Sequence, residues 1–388
     1  MTRWWLFLLV FSALLAGKPS TAQQVPLTPL AQQQGLQRAI EHYQKLMQAG
    51  TWDAFPEDIC VQPGTQDRFV PKVRNLLCLT QDLTHCATQD STFFDAHLTD
   101  AVKRFQRRHG LPADGIVGCN TLTALNVSPA KRLQQLLVNL ARWQDSLYAP
   151  TYPQVLVNIP DYTLHLLNSQ AQTVWKTRVV VGQVKRNFQT RQINSRISYL
   201  VVRPTWNLPK SIIKNEIIPA VRRDASYLAK NHMDLYKEVR GRLVPLGVGS
   251  VNWKTVDATK ITIIQRPGTW NALGQIKFLF HNPFDIYLHD TPAKALFHHP
   301  VRAYSHGCVR VEHPDKLATY LLSPDWGKPV AFSLQAQKGQ NQQVFLPKPV
   351  AIQIRYFTSW IDAQGVLQFR DDVYGLDAVT FPLLSEVH

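Results

Sequence analysis

The sequence predicts an α+β protein of more than one domain, with helices in its first part and a β-rich second part. In the first part, apolar residues recur every three or four positions, which is typical of amphipathic helices. In the second part they alternate, as in Val155, Val157 and Ile159, which is typical of strands that bury one face. Pro150 and Pro153 mark the change. Many short strands separated by turn residues favour a sandwich or a barrel.

Composition and charge limit the possible classes of protein. The 388 residues are 45% hydrophobic and include ten tryptophans, which is enough for two or three folded cores and excludes a disordered chain. The formal net charge is +15, and this favours an anionic partner such as nucleic acid, lipid head groups or a carboxylate-rich polymer.

The first 22 residues are expected to be a signal peptide rather than part of the fold. Arg3 precedes the apolar run Trp4–Ala16, and Ser20-Thr21-Ala22 supplies small residues for cleavage after Ala22. The apolar run is short for a membrane span, although an uncleaved anchor is the alternative. We expect an exported mature chain without a stable transmembrane segment, which disfavours nucleic acid as a partner.

Five cysteines in an exported chain suggest an even set and one left over. Cys60, Cys78, Cys86 and Cys119 cluster in the N-terminal third, whereas Cys308 stands alone. Of the three possible connectivities we expect Cys78–Cys86 and Cys60–Cys119. The alternative is four reduced or metal-binding cysteines, but their spacing lacks the paired CxxC motifs of a zinc site.

The helical part is expected to contain a scaffold segment at residues 23–62 and a small module at residues 63–127. Leu36, Ile40 and Tyr43 recur at helical spacing and predict a scaffold helix over Ala31–Met47. The turn Pro63-Gly64 begins the module. Its predicted helices are Val70–Leu79, Asp100–His109 with Thr99 as N-cap, and Thr121–Leu125.

The run Ala101–Leu111, followed by Asp114-Gly115 and Gly118…Thr121-Leu122, resembles the three-helix peptidoglycan-binding module. Ordinary helix packing also explains these glycines and Phe105, so they support the fold of the module and not glycan binding as such. A further amphipathic helix, capped by Ser128, is expected to link the module to the second part over residues 128–150.

The second part, residues 151–336, is expected to be one β-rich domain with an insertion at about residues 207–255. Within the insertion, Lys210–Leu235 is helical in character but broken by Pro219. After it, Pro314–Leu322 predicts a helix and Pro329–Leu334 a closing strand. The tail, residues 337–388, is expected to be a β extension with a hairpin around Gln364-Gly365.

Cys308 and His289 are the candidate nucleophile and base. A free thiol is mostly protonated at neutral pH, so a nucleophilic cysteine needs a base or a positive charge nearby. Gly307 has no Cβ and lets a substrate carbonyl approach the backbone, where N–H groups can receive an oxyanion. The alternative for an isolated pair of this kind is a buried structural cysteine and a hydrogen-bonded core histidine.

His289 followed by Ser305-His306-Gly307-Cys308-Val309-Arg310 resembles the catalytic signature of the L,D-transpeptidases. The flanking Phe280-His281-Asn282-Pro283 and Ile286-Tyr287-Leu288-His289-Asp290 are similar to that family as well. The resemblance implies that residues 151–336 are the catalytic domain of the large multi-domain kind found in Gram-negative bacteria. In that kind the insertion is a lid over the active site; a surface excursion without mobility is the alternative for residues 207–255.

The resemblance also implies roles for individual residues. Cys308 is the nucleophile, His289 the base, and the N–H groups of Gly307 and Cys308 the oxyanion site. A backbone carbonyl or Asp290 orients the imidazole. The expected substrate-binding residues are Arg310, as a carboxylate ligand or a loop stabiliser, Tyr287 and Trp206, each in the cleft or in the core, and Ser305 and His306, which shape the loop.

No cofactor is expected. The histidines His281, His298, His299 and His306 suggest a metal site, but they lack the HExxH pattern, and we expect no metal.

The expected activity is the formation of 3→3 cross-links in peptidoglycan through a cysteine thioester, with release of D-alanine and sensitivity to carbapenems. The expected location is the periplasm, and the expected partners are stem peptides and glycan, bound by a monomer. An L,D-carboxypeptidase and an enzyme that attaches proteins to the wall remain alternatives, because water or a protein lysine can resolve the same thioester. A non-catalytic wall-binding protein is the more distant alternative.

Overall fold

The computed structural model describes residues 24, 26–50, 52–56, 59–86, 92–145, 149–323, 332 and 340–385. The expected signal peptide lies outside the described residues, as does the expected strand Pro329–Leu334 apart from position 332. The predicted α+β class is confirmed: helices form the N-terminal region and a closed sheet forms the second part of the chain. In the described part of the chain, no helix combines the length and apolar character needed to cross a membrane.

Five helices form the N-terminal region, and their bounds are close to those predicted. The helices are α1 Pro29–Ala49, α2 Val70–Leu79, α3 Ala96–Arg108, α4 Cys119–Leu125 and α5 Pro129–Gln144. Helix α3 begins earlier than expected, because Asp95 and not Thr99 is its N-cap. Asp95 accepts a hydrogen bond from the Leu98 N–H at 2.8 Å and pairs with Arg74 at 2.7 Å. The tertiary ion pair therefore selects between two good capping residues.

Helices α2 to α4 enclose a small apolar core around Val73, Leu98 and Phe105. The structure contains a disulfide between Cys78 and Cys86, which closes the segment after α2. The expected bond between Cys60 and Cys119 is absent, and both of these thiols are free and exposed. An isolated antiparallel bridge pairs Val61 with Val117, which places residue 60 opposite residue 118. Cys119 is one residue out of this register and already begins α4.

Helices α1 and α5 attach the N-terminal region to the C-terminal extension. The Gln32 amide donates to the Ile361 carbonyl at 2.7 Å and accepts from the Ile361 N–H at 2.8 Å. Asn139 of α5 makes the same kind of double contact with Thr358. A Cβ at Gly35 would lie 2.4 Å from the Ile361 side chain, so this helix needs glycine to pack so closely.

The second part of the chain is a β-barrel. The sheet order is β11-β3-β12-β10-β9-β4-β13-β1-β2, and β2 also pairs with β3, which closes the sheet. Its strands are β1 Gln154–Asn158, β2 Thr163–Leu167, β3 Thr173–Gly182, β4 Ile193–Val202, β9 Ile276–Phe280, β10 Leu288–His289, β11 Ala303–Ser305, β12 Val309–Val311 and β13 Gln342–Arg355. Alternate residues such as Phe278, Leu288 and Val309 point into the barrel and are fully buried.

The insertion forms a second, four-stranded sheet in the order β5-β8-β6-β7. It has its own apolar core around Ile213, Leu228 and Ile263. Its elements are β5 Trp206–Asn207, α6 Lys210–Ile212, a π-helical turn Ile213–Ile217, α7 Ile218–Arg223, α8 Tyr227–Lys230, β6 Met233–Val239, β7 Arg242–Pro245 and β8 Thr262–Gln265. Because β8 pairs with both β5 and β6, the inserted unit extends to Gln265 and not only to residue 255.

The C-terminal part of the chain differs from the separate β extension that the sequence predicts. Strand β13 is one of the strands of the barrel sheet and lies between β4 and β1. The barrel therefore does not end near residue 336. The predicted hairpin is present, with β14 Ser359–Ile361 paired to β15 Leu367–Phe369. Two further helices complete the described chain. Helix α9 Pro314–Leu321 was predicted, whereas helix α10 Leu376–Ser385 was not, because the tail was expected to be a β extension.

Candidate active site

A cleft of about 860 Å³ lies between the outer face of the barrel and the insertion. The barrel contributes the strands that carry His289 and Cys308, and the insertion contributes Trp206 and the π-helical turn with Asn215 and Glu216. Seven of the predicted site residues line this one cleft: Trp206, Tyr287, His289, Ser305, His306, Cys308 and Arg310.

Short strand β10 fixes the position of His289. In β10, Leu288 points into the barrel core, so the next residue, His289, points outward into the cleft. His289 is opposite Lys277 of β9 on one side and opposite Arg310 of β12 on the other. The three side chains therefore form a row across three adjacent strands, with the imidazole in the middle.

The imidazole of His289 is neutral and oriented by the backbone. Burial, followed by the positive charge of Arg310, lowers the pKa of His289 to about 3. Its Nδ1–H donates to the Asp290 carbonyl oxygen at 2.5 Å, which leaves Nε2 as the basic nitrogen. The Asp290 carboxylate points elsewhere and pairs with Lys294 Nζ at 2.6 Å. Of the two expected orienting groups, the structure uses the backbone carbonyl.

Cys308 is a protonated thiol at neutral pH. Burial raises the pKa of Cys308 to about 11, although the N–H and hydroxyl of Tyr287 and the charge of Arg310 act in the opposite direction. Among the described residues, the thiol donates to the Asp285 carbonyl oxygen at 3.7 Å and makes no hydrogen bond to His289. A neutral thiol thus lies in the same cleft as a neutral imidazole.

The hydroxyl group of Ser305 holds the loop that carries Cys308. Ser305 Oγ donates to the Cys308 carbonyl oxygen and accepts from the Gly307 N–H at 3.1 Å. The Gly307 N–H, one of the two expected oxyanion donors, is thus engaged within its own loop. The Cys308 N–H has no hydrogen-bond partner within the described ranges and is the remaining donor. Gly307 has a φ of +116°, which a residue with a side chain rarely adopts.

Thr190 holds the same loop from the other side. Its Oγ1 donates to the Gly307 carbonyl oxygen at 2.8 Å and accepts from the Gly182 N–H at 2.8 Å. The backbone N–H of Thr190 in turn donates to the hydroxyl of Tyr374, which belongs to the C-terminal extension. The sequence pattern did not indicate Thr190, because an isolated threonine between strands carries no distinctive signal.

His306 connects the loop of Cys308 to the insertion. Its Nε2 lies 2.6 Å from a carboxylate oxygen of Glu216, which belongs to the π-helical turn. The ring of Phe188 packs edge-on against the imidazole, with 4.5 Å between the ring centroids. His306 therefore does more than shape its own loop, since it spans the cleft to the insertion.

Trp206 meets both of the roles that the sequence left open, whereas Tyr287 lies in the cleft. Trp206 lines the cleft and also packs against the core of the insertion. Tyr287 lies edge-on to His289, with 5.6 Å between ring centroids, and burial raises the pKa of its hydroxyl. Both residues are half-buried.

Sequence reasoning missed Lys277. The alternation of Ile276–Phe280 places it on the face opposite to the core, and this was the signal that could have found it. Its identity as a cleft residue depends on which strand pairs with β10, which the sequence does not give. Within the ranges that the structure describes, no three His, Cys, Asp or Glu side chains form a possible metal site.

Comparison with known proteins identifies two segments of the chain. Residues 153–340 match the family model of the L,D-transpeptidase catalytic domain, and residues 79–125 match the family model described as "Putative peptidoglycan binding domain". A Haemophilus influenzae protein named "Putative L,D-transpeptidase" is 31% identical over 225 residues. That alignment covers 58% of this chain and 44% of the relative, so the chain spans less than half of the relative's length.

Two solved structures of L,D-transpeptidases are more distant. The crystal structure from Stackebrandtia nassauensis is 14% identical, with a TM-score of 0.27, and covers 78% of this chain and 97% of its own. The enzyme from Mycobacterium smegmatis is 13% identical, with a TM-score of 0.25, and covers 52% of this chain and 58% of its own. On the family models alone, residues 153–340 match the L,D-transpeptidase catalytic domain, and they follow a segment that matches a peptidoglycan binding domain.

Proposed function

We propose that this protein is an L,D-transpeptidase that forms 3→3 cross-links in peptidoglycan with Cys308 as its nucleophile. The observation that carries the proposal is the presence of Cys308 and a neutral His289, with Nε2 unprotonated, in one cleft. The match of residues 153–340 to the catalytic domain family supports the reaction class. The match of residues 79–125 supports peptidoglycan as the partner.

In the first half of the reaction, His289 Nε2 takes the proton of the Cys308 thiol, and the sulfur attacks the carbonyl carbon of residue three in a donor tetrapeptide. This carbonyl belongs to the L-centre of a diamino acid. The negative charge on the oxygen is received by the Cys308 N–H. The carbon–nitrogen bond then breaks, His289 returns the proton to the leaving amine, and D-alanine departs from a thioester.

In the second half, the side-chain amine of an acceptor stem attacks the thioester carbon. His289 takes a proton from the amine and delivers it to the departing Cys308 sulfur, which restores the free enzyme. The product is an amide between two residues at position three. Water in place of the amine would give a tripeptide, and a protein lysine would give a wall-attached protein, so the acceptor distinguishes the alternatives.

We also propose an envelope location, with residues 1–22 as a signal peptide and the mature chain as a periplasmic enzyme of wall synthesis. The excess of positive charge suits a polymer that carries free carboxylates. Acylation of Cys308 by a carbapenem is expected from the same chemistry, because a strained lactam carbonyl presents the same target to the thiol.

The test is mass spectrometry of muropeptides after the purified mature chain is incubated with disaccharide tetrapeptide. A dimer that is lighter by one D-alanine and bonded through residue three supports the proposal. Tripeptide monomer alone changes the assignment to a carboxypeptidase, and unchanged substrate removes the transpeptidase proposal. Cys308→Ala should abolish the product, whereas Cys119→Ser, which removes an exposed thiol outside the cleft, should retain it.

A further inference from the structure

Two cations flank His289 on the outer face of the barrel. Lys277, His289 and Arg310 are register partners on β9, β10 and β12, and all three line the cleft. Neighbouring strands lie about 4.8 Å apart, so the two cationic side chains start about 10 Å apart on either side of the imidazole. Both are long and flexible enough to reach one ligand placed over His289.

Neither cation is neutralised by the described part of the protein. Arg310 Nε is buried and has no hydrogen-bond partner. Lys277 has no carboxylate within ion-pair distance in the ranges that the structure covers, and its Nζ lies 5.9 Å from the centroid of the Tyr287 ring. Burial lowers the pKa of both groups, because it penalises their charged forms.

The carboxylates near the cleft are occupied or directed elsewhere. Glu216 pairs with His306 on the side of the insertion. Asp290 pairs with Lys294 on the side away from the cleft. Asp285 is exposed at the rim. Since desolvated cations are unfavourable without a partner, the row is suited to an anion that arrives with the substrate.

We propose that Lys277 and Arg310 together bind a carboxylate of the donor stem peptide, and that Lys277 makes the enzyme select a free carboxylate over an amidated one. This inference rests on the proposed function, which supplies the donor. A guanidinium binds a carboxylate through two parallel hydrogen bonds, and the lysine adds a point charge from the opposite side.

The donor offers two such groups near the scissile bond. One is the carboxylate at the D-centre of residue three, and the other is the terminal carboxylate of the departing D-alanine. Either group would place its negative charge beside His289. It would thereby offset the two cations that lower the pKa of His289, and the imidazole would become a stronger base when the donor is bound.

The test compares Lys277→Met with the wild type on three synthetic donors: the free tetrapeptide, the same peptide amidated at the D-centre carboxylate, and the same peptide with a C-terminal amide. Loss of a charged hydrogen bond predicts that Lys277→Met raises the KM for the free donor by about 10- to 100-fold. If the carboxylate that Lys277 binds is already amidated, Lys277→Met should not raise the KM for that donor any further. The donor that shows no further increase therefore identifies the carboxylate that Lys277 binds. Lys277→Arg should retain most of the preference.

Two controls separate this inference from general charge and from the proposed function. Lys185→Met removes an exposed cation from the rim of the same cleft, so an equal loss in both variants would overturn the proposal in favour of a net charge effect. Dissociation constants of the three donors are also measured by calorimetry on full-length Cys308→Ala, with and without Lys277→Met.

The outcomes are distinct. The inference is supported if the protein binds the free donor more tightly than the amidated donor and Lys277→Met abolishes this difference. This holds even if the wild type fails to turn the donor over and the proposed function is rejected. Normal turnover by the wild type, with identical donor preferences in Lys277→Met, overturns the inference and leaves the proposed function in place.

Discussion

Thr190→Val should impair acylation of Cys308 while leaving the reactivity of its thiol unchanged. The Thr190 hydroxyl donates to the Gly307 carbonyl oxygen at 2.8 Å. That carbonyl belongs to the same planar peptide group as the Cys308 N–H, so holding the oxygen also fixes the direction of the N–H. Because this N–H is the proposed oxyanion donor, loss of the hydroxyl should allow it to turn away from the substrate.

The size of the effect follows from the burial of the site. Thr190 is 3% exposed, and valine has nearly the same shape, so the change creates no cavity. It leaves the Gly307 carbonyl and the Gly182 N–H without their partner, at about 1–3 kcal/mol for each buried group. The free energy of unfolding should fall by about 2–6 kcal/mol, which corresponds to a decrease in Tm of about 5–15 °C.

Acylation should slow by about 10- to 100-fold, which is less than the loss seen when an oxyanion donor is removed altogether. The assay compares two reactions of Cys308 by intact-mass spectrometry: acylation by a carbapenem, which needs the oxyanion donor, and alkylation by iodoacetamide, which does not. Thr190→Ser keeps the hydroxyl and should resemble the wild type in both. Equal slowing of the two reactions, or a Tm for Thr190→Val as high as that of Thr190→Ser, would refute the reasoning.

Two further predictions concern charge. The alkylation rate of Cys308 should rise by about tenfold for each pH unit up to a pKa of about 11, because burial keeps the thiol protonated at lower pH; a plateau below pH 9 would contradict this. In the helical module, Asp82→Asn should lower the free energy of unfolding by about 3–5 kcal/mol in urea titrations, since it leaves the buried Arg108 guanidinium without its carboxylate. A midpoint equal to that of the wild type would exclude a structural role for the pair, and Cys308 alkylation provides the control for an intact catalytic domain.

Local patterns predicted most of the secondary structure. The spacing of Leu36, Ile40 and Tyr43 predicted α1, and Ser128 caps α5 through the Lys131 N–H as expected. The alternation of short apolar segments predicted the barrel strands, and Gln364-Gly365 predicted the final hairpin. These features depend on residues a few positions apart, which is the range over which a sequence pattern carries information.

Features that depend on tertiary contacts were not predictable. The choice of Asp95 over Thr99 as a cap depends on Arg74, which is distant along the chain. The hydrogen bond that engages the Gly307 N–H within its own loop depends on the rotamer of Ser305. Lys277 lies beside His289 because β9 pairs with β10, whereas the sequence pattern of a single lysine in an alternating strand predicts only a solvent-exposed residue.

The position of β13 has a consequence for how the protein folds. Strand β1 pairs in parallel with β13, with Gln154 opposite Ala351. The first barrel strand therefore cannot complete its pairing until β13 has been synthesised. During synthesis from the N-terminus, the barrel therefore has two unpaired edges until residue 355 has emerged, and such edges are prone to aggregation. Contacts between residues so far apart along the chain also slow folding. A polypeptide that stops at residue 340, where the catalytic family match ends, would lack this strand permanently and is expected to be insoluble.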